Sequence, residues 1–189
     1  MYKRQEFVPY KNGVVCAKMN HMSYIDGTGA VVWEIDTAIV DPILKVDGNY
    51  ILIAEKGRNK ICLYIDNKLQ YDVDDPDTVM SAELSSNGDV VVVTDKSSYR
   101  GGISVYNKSG EQIFSWASGS DAVICADISA ASRSVAVALL NSDVTAKTTV
   151  QLFNVNETES YAKIEMPDTV VYELQFVGDK VNALSLIHI

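Results

Sequence analysis

Ala82-Glu83-Leu84-Ser85-Ser86-Asn87-Gly88-Asp89-Val90-Val91-Val92-Val93, AELSSNGDVVVV, is the stretch whose reading decides the fold. A short apolar segment leads into a polar turn, and the turn leads into four consecutive valines. Asn-Gly favours a tight hairpin turn because glycine adopts positive φ without penalty. A strand with one wet face alternates apolar and polar residues. Val90 to Val93 do not alternate, so this strand must be covered on both faces.

Four other stretches share the pattern: VPYKNGVVCA (8–17), LKVDGNYILIA (44–54), ADISAASRSVAVAL (126–139) and LQFVGDKVNAL (174–184). Their turns centre near Gly13, Gly48, Gly88, Arg133 and Gly178, in steps of 35, 40, 45 and 45 residues. Asn12-Gly13 and Asn87-Gly88 are read as the tips of tight hairpins. A second hairpin follows in each of the first four units: HMSYIDGTGAVVWEI, KICLYIDNKLQYDV, GISVYNKSGEQIFSW and TTVQLFNVNETESYAKI. Its last strand carries an aromatic: Trp33, Tyr71, Phe114 with Trp116, and Tyr161. Four short strands in about 40 residues make one blade of a β-propeller. A β-sandwich also has many short strands, but it does not repeat two successive hairpins at a fixed pitch. No segment shows a 3.6-residue period.

The expected fold is therefore all-β: an open propeller fragment of four four-stranded antiparallel blades and the first hairpin of a fifth. The blades run from Glu6 to Asp36, Pro42 to Asp74, Val79 to Ser118 and Ala122 to Pro167. The fifth unit starts at Val170 and breaks off inside its second strand. Its bare blade faces should make the chain self-associate.

Composition narrows the partners. The chain has 189 residues, 25 acidic against 16 basic, with no basic cluster, which argues against nucleic acid and anionic membrane surfaces. No apolar run of about 18 residues occurs, so no segment in view spans a bilayer. Cys16, Cys62 and Cys125 each sit in an apolar stretch with no CxxC, and read as buried, inert thiols.

The two ends read differently. Leu184-Ser185-Leu186-Ile187-His188-Ile189 has neither a helical nor a strand period. It is what CTG TCT CTT ATA CAC ATC encodes, a string resembling the transposon mosaic end of sequencing libraries. The complementary strand encodes Tyr-Lys-Arg-Gln after a GTG start, matching Met1 to Gln5. Residues 1–5 and 184–189 are accordingly expected to be adapter-derived, with 6–183 native. On that reading His188 is no candidate ligand, and His21 is the one native histidine. Any anchor or signal peptide would lie upstream.

The turn DGTGAVVW (26–33) resembles the Thr-Gly and Trp repeat of quinoprotein-like propellers, and the chain as a whole resembles WD40-like propellers. In that repeat the Trp packs across the Thr-Gly turn of a neighbouring blade. The succession from VDPILKVDGNYILIAEKGRNKICLYIDN through LSSNGDVVVVTDK to GGISVYNKSG is similar to an uncharacterised bacterial propeller family, a domain of unknown function. The resemblance implies an N-terminal membrane anchor, a propeller outside the cytoplasmic membrane and no known activity.

No catalytic, cofactor-binding or metal-binding residue is assigned from the sequence. The connections after each blade are rich in aspartate: Asp36, Asp41, DVDDPDT (72–78), Asp121 and Asp168. Gathered at a channel mouth they could hold a cation or a basic partner; otherwise they are ordinary turn residues. A calcium loop from Asp72 to Glu83 fails, because Pro76 stands where a ligand is wanted and Asp77 where glycine is needed. His21 reads as a solvated turn residue. The stretches 95–102 and 141–148 read as the longest loops, with Tyr99 and Arg100 of types common at interfaces. The leading expectation is a non-catalytic binding or scaffold module for protein, peptide or glycan, completed by further blades of its own chain. The alternatives are an enzyme, quinoprotein-type or other, whose chemistry lies in other blades, and a purely structural module.

Overall fold

The computed structural model describes residues 5–131, 133–142 and 146–187. The first sheet holds β1 (Glu6–Tyr10), β2 (Gly13–Lys18), β3 (His21–Ile25) and β4 (Val31–Asp36). The second holds β5 (Pro42–Asp47), β6 (Tyr50–Glu55), β7 (Lys60–Ile65) and β8 (Lys68–Asp74). The third holds β9 (Thr78–Leu84), β10 (Val90–Asp95), β11 (Gly102–Tyr106) and β12 (Gln112–Ala117). The fourth holds β13 (Ala122–Ile128), β14 (Ser134–Asn141), β15 (Lys147–Asn154) and β16 (Ser160–Pro167), and a two-stranded sheet follows with β17 (Thr169–Val177) and β18 (Lys180–Ile187). Each sheet is an antiparallel meander in sequence order, and no sheet closes on another. The first strands β1, β5, β9, β13 and β17 adjoin one another in order, so the sheets fan outward from them as propeller blades. No helix occurs among the described residues, and none is long and apolar enough to cross a membrane.

The valine run shows why this sequence folds so. Val91 and Val93 pack into the layer between blades three and four, with Val135, Val137 and Phe153. Val90 and Val92 pack into the layer between blades two and three, with Leu52, Leu63 and Tyr106. Successive side chains point to opposite faces, and both faces are interior. Each buried valine contributes about 1.5–3 kcal/mol relative to exposure. The core is thus four layers between neighbouring blades, the remaining two lying between blades one and two and between blade four and the last hairpin.

A one-residue bulge recurs in the outer pairing of every complete blade, at Tyr24/Ile25, Leu63/Tyr64, Val105/Tyr106 and Leu152/Phe153. It fixes which outer-strand residue meets the next blade. Trp33, Tyr71 and Phe114 pair with the strand just before the bulge, and the same place in blade four holds Ala162, paired with Leu152. Tyr161, expected to match the other aromatics, falls on the skipped residue and is 55% exposed. Phe114 and Trp116 meet Phe153 of blade four with ring centroids 5.7 and 5.0 Å apart. Tyr71 of blade two covers the turn of blade three so closely that a Cβ on Gly110 would stand 2.8 Å from its Cγ.

The first hairpin tip departs from expectation. Tyr10 pairs with Gly13, so Lys11 and Asn12 form the tip, with Lys11 at φ 50°. Gly13 instead opens β2, where a Cβ would lie 2.0 Å from the Ile25 carbonyl oxygen. The turn around Gly88 is as expected, with φ 87°. The last strand is also longer than expected. Leu184 to Ile187 continue β18, pairing with Glu173, Val171, Val170 and Thr169, and Leu184 and Leu186 point outward while Ala183 and Ser185 are half-buried. A strand period is therefore present there. Residues 1–4, 188 and 189 lie outside the described residues, so His188 does too.

Candidate functional site

The aspartate-rich connections do not converge. Asp36 is exposed beside His21, Asp72 and Asp74 both face Lys60, and Asp77 faces Lys96. Asp121 accepts from the Asn141 amide at 2.8 Å. Asp75 is buried and accepts the Tyr106 hydroxyl at 2.7 Å and the Asp77 N–H at 2.8 Å, tying the blade two–three connection to β11. Burial, and then this bond, push the Tyr106 hydroxyl well above the usual phenol range. Asp168 takes positive φ at 51° in the turn before β17. Among the described residues no group of three or more His, Cys, Asp or Glu side chains is placed to hold a metal ion.

His21 is not a turn residue. The turn closes at Met19-Asn20, Lys18 pairs with His21, and the imidazole lies 3.5 Å from both Glu34 and Asp36. The thiols of Cys16 and Cys62 are buried, whereas Cys125 is only half-buried, a departure from the expected burial of all three. Desolvation nevertheless pushes both Cys62 and Cys125 up to about 12, which leaves negligible thiolate near neutrality. The loop between β10 and β11 presents Tyr99, half exposed, and Arg100, exposed. The second supposed long loop is shorter than expected, spanning 142–146, and 143–145 lie outside the described residues.

A concavity lies elsewhere, where β5, β9, β13 and β17 face the centre of the fan. It is a cleft of about 420 Å3 whose lining includes Lys45, Asp47, Glu83, Asp127 and Glu173. Each of these four strands delivers charge to it from a mostly apolar segment, β5 with Lys45 and Asp47 and the others with one carboxylate each. Lys45 donates to Glu83 across the blade two–three boundary at 2.7 Å. Asp127 accepts the Phe176 N–H at 2.6 Å, fastening blade four to β17. Burial raises the carboxyls of Glu83 and Asp127 above their ordinary range, against the pull of Lys45, and Glu173 adds like-charge repulsion to both. An approaching cation would relieve this. A second compartment of about 460 Å3 shares Lys45 and Glu83 and is lined further by Val8, Ile43 and Met80. These acids lie inside first strands, not in the connections where aspartates cluster in sequence. The available signal was a charged residue inside the first strand of successive repeats.

The fold matches solved β-propellers. The chain aligns with a KlHsv2 variant in which loop 6CD is replaced by a Gly-Ser linker, at 12% identity and TM-score 0.69, covering 97% of this chain and 62% of that one. It aligns with BamB from Moraxella catarrhalis at 15% identity and TM-score 0.65, covering 95% and 54%. With the C-terminal WD40 domain of Sif2 the values are 14%, 0.63, 91% and 48%. The chain thus spans about half to six-tenths of the length of these structures. No curated protein matches by sequence. At such identities the likeness establishes the fold. Trp33, the aromatic of the turn that resembled the quinoprotein-type repeat, packs into the layer between blades one and two, its ring centroid 5.9 Å from that of Tyr24. A family model extends over residues 2–185, and the chain belongs to that family, DUF5711, a family of unknown function.

Proposed function

We propose that this propeller is a non-catalytic binding module that takes its ligand, a protein segment, peptide or glycan, at the cleft formed by its first strands. One observation carries the reading: four consecutive first strands each place charged side chains in that cleft, Lys45 and Asp47 from β5 and one each from β9, β13 and β17. Two of the carboxylates are already engaged, Glu83 by Lys45 and Asp127 by the Phe176 N–H, which suits positioning of a ligand better than proton transfer to it. Rigid strands also lower the ordering cost of binding. The module would act outside the cytoplasmic membrane, as the sequence resemblance implies; an alkaline phosphatase fusion to the full-length protein would test that.

The binding test is a thermal-shift screen of the 189-residue chain against oligopeptide and oligosaccharide panels, run beside an Asp127→Asn/Glu173→Gln variant. Ligands that stabilise the parent and lose that effect in the variant support the reading. Ligands that act equally on both proteins, or that are chemically converted, contradict it.

A further inference from the structure

The central concavity has two adjoining compartments. The Lys45–Glu83 pair lines both, so they meet at that ion pair. On one side the lining carries Asp47, Glu83, Asp127 and Glu173 against a single lysine. On the other side the charges balance, Glu6 and Glu83 against Lys45 and Lys56, and aliphatic side chains supply much of the wall. Met80 there is 44% exposed although it belongs to a strand whose neighbours Val79 and Ala82 are buried. An exposed methionine beside a groove adapts to varied apolar side chains.

We infer that the two compartments together receive one extended polypeptide segment in which a lysine or arginine lies next to aliphatic residues. The inference rests on the proposed binding role of the cleft and adds the class of ligand. Charge complementarity sets the direction: the basic side chain enters beside Asp127 and Glu173, and the aliphatic side chains lie over Val8, Ile43 and Met80. A purely anionic ligand is repelled by the first compartment. A purely basic one leaves the apolar wall wet. Binding would weaken with added salt through its basic half only, because apolar contact is not screened.

Fluorescence anisotropy on the whole chain tests this with three labelled nonapeptides. One joins an Arg-Lys-Arg block to a Leu-Val-Leu block; one keeps the basic block and replaces the other by Ser-Gly-Ser; one keeps the aliphatic block and replaces the basic one by Glu-Asp-Glu. The expected result is that the first binds at least about tenfold more tightly than either other peptide. Glu173→Gln should weaken it about threefold and flatten its salt dependence. Met80→Ser should weaken it about fivefold and leave the basic-only peptide unchanged. Both substituted side chains are exposed, so the fold is not at stake. If the basic-only peptide binds as tightly as the joined one, or Met80→Ser changes nothing, the bipartite inference is overturned while the cleft reading stands. If no peptide binds, the inference is overturned, and the thermal-shift screen decides the cleft reading separately.

Discussion

Replacing Gly110 by alanine isolates the contact between two blades. Gly110 lies in the β11–β12 turn at φ 81°, and Gly57 lies after β6 at a similar φ of 76°. An alanine at either place occupies the left-handed region, which costs about 1–2 kcal/mol. At Gly57 the new methyl group meets nothing within 4 Å, so no further cost arises. At Gly110 it stands 2.8 Å from Tyr71 Cγ and 2.9 Å from Tyr71 Cβ. Tyr71 cannot swing aside, because it is buried in the layer between blades two and three. Overpacking of this kind adds about 1–3 kcal/mol. Gly110→Ala should therefore cost about 2–5 kcal/mol and Gly57→Ala about 1–2 kcal/mol. Urea denaturation measures both. In a Tyr71→Ala background the ring is gone, and the two glycine substitutions should cost the same; the cycle yields the blade contact itself. Equal costs in the parent protein, or an undiminished Gly110 effect without the Tyr71 ring, would refute the inter-blade packing described above.

Other outcomes follow from the same geometry. Tyr106→Phe keeps the ring but removes a hydrogen bond from the buried Asp75 carboxylate, and should cost about 1.5–3 kcal/mol by urea denaturation, with an unchanged m value. Phe153→Ala empties a fully buried site touched by two rings from the preceding blade, and should cost about 3–5 kcal/mol in the same assay. Burial raises the Asp127 carboxyl above its unfolded value, so the folded chain binds more protons between the two values. This group's contribution to stability is then greatest below the unfolded value, about 4, and is lost as pH rises through the folded one. Asp127→Asn should accordingly be no less stable than the parent at neutral pH, with its relative standing falling as pH is lowered; a stability deficit at neutral pH that shrinks on acidification would contradict this. The native thiols should resist a disulfide reagent at pH 8 and react fully in urea.

The blades were legible because burial on both faces leaves an unmistakable trace. A strand between two layers is apolar at every position, as at Val90 to Val93 and Val135 to Leu140, and turns punctuate it at a repeating distance. The blade boundaries in the structure fall within a residue of those read from the repeat. What was not legible depended on single-residue offsets. One skipped residue in the outer pairing moves Tyr161 out of the line formed by Trp33, Tyr71 and Phe114 and puts Ala162 there. One residue of shift in the first hairpin moves Gly13 from the tip into the strand. The cleft was hidden for a related reason. Lys45, Glu83, Asp127 and Glu173 lie 38, 44 and 46 residues apart, and unequal connections blur their equivalence until the strands are laid side by side. The aspartates of the connections drew notice because they cluster in sequence, yet the fold distributes them to Lys60, Lys96, Tyr106 and Asn141.

The central claim is that consecutive blades are arranged side by side around first strands that wall a charged cleft. Zero-length carbodiimide cross-linking, read by mass spectrometry, tests it directly, because it joins a lysine only to a carboxylate already in contact. The Lys45–Glu83 pair, 2.7 Å apart on the first strands of blades two and three, should be joined, as should Lys11–Asp66 at 2.7 Å between blades one and two. Lys60–Asp72, within blade two at 2.6 Å, is the internal standard. All three products are expected in the monomer. Formation of Lys60–Asp72 without Lys45–Glu83 would mean that the blades do not meet as described and that the cleft does not exist.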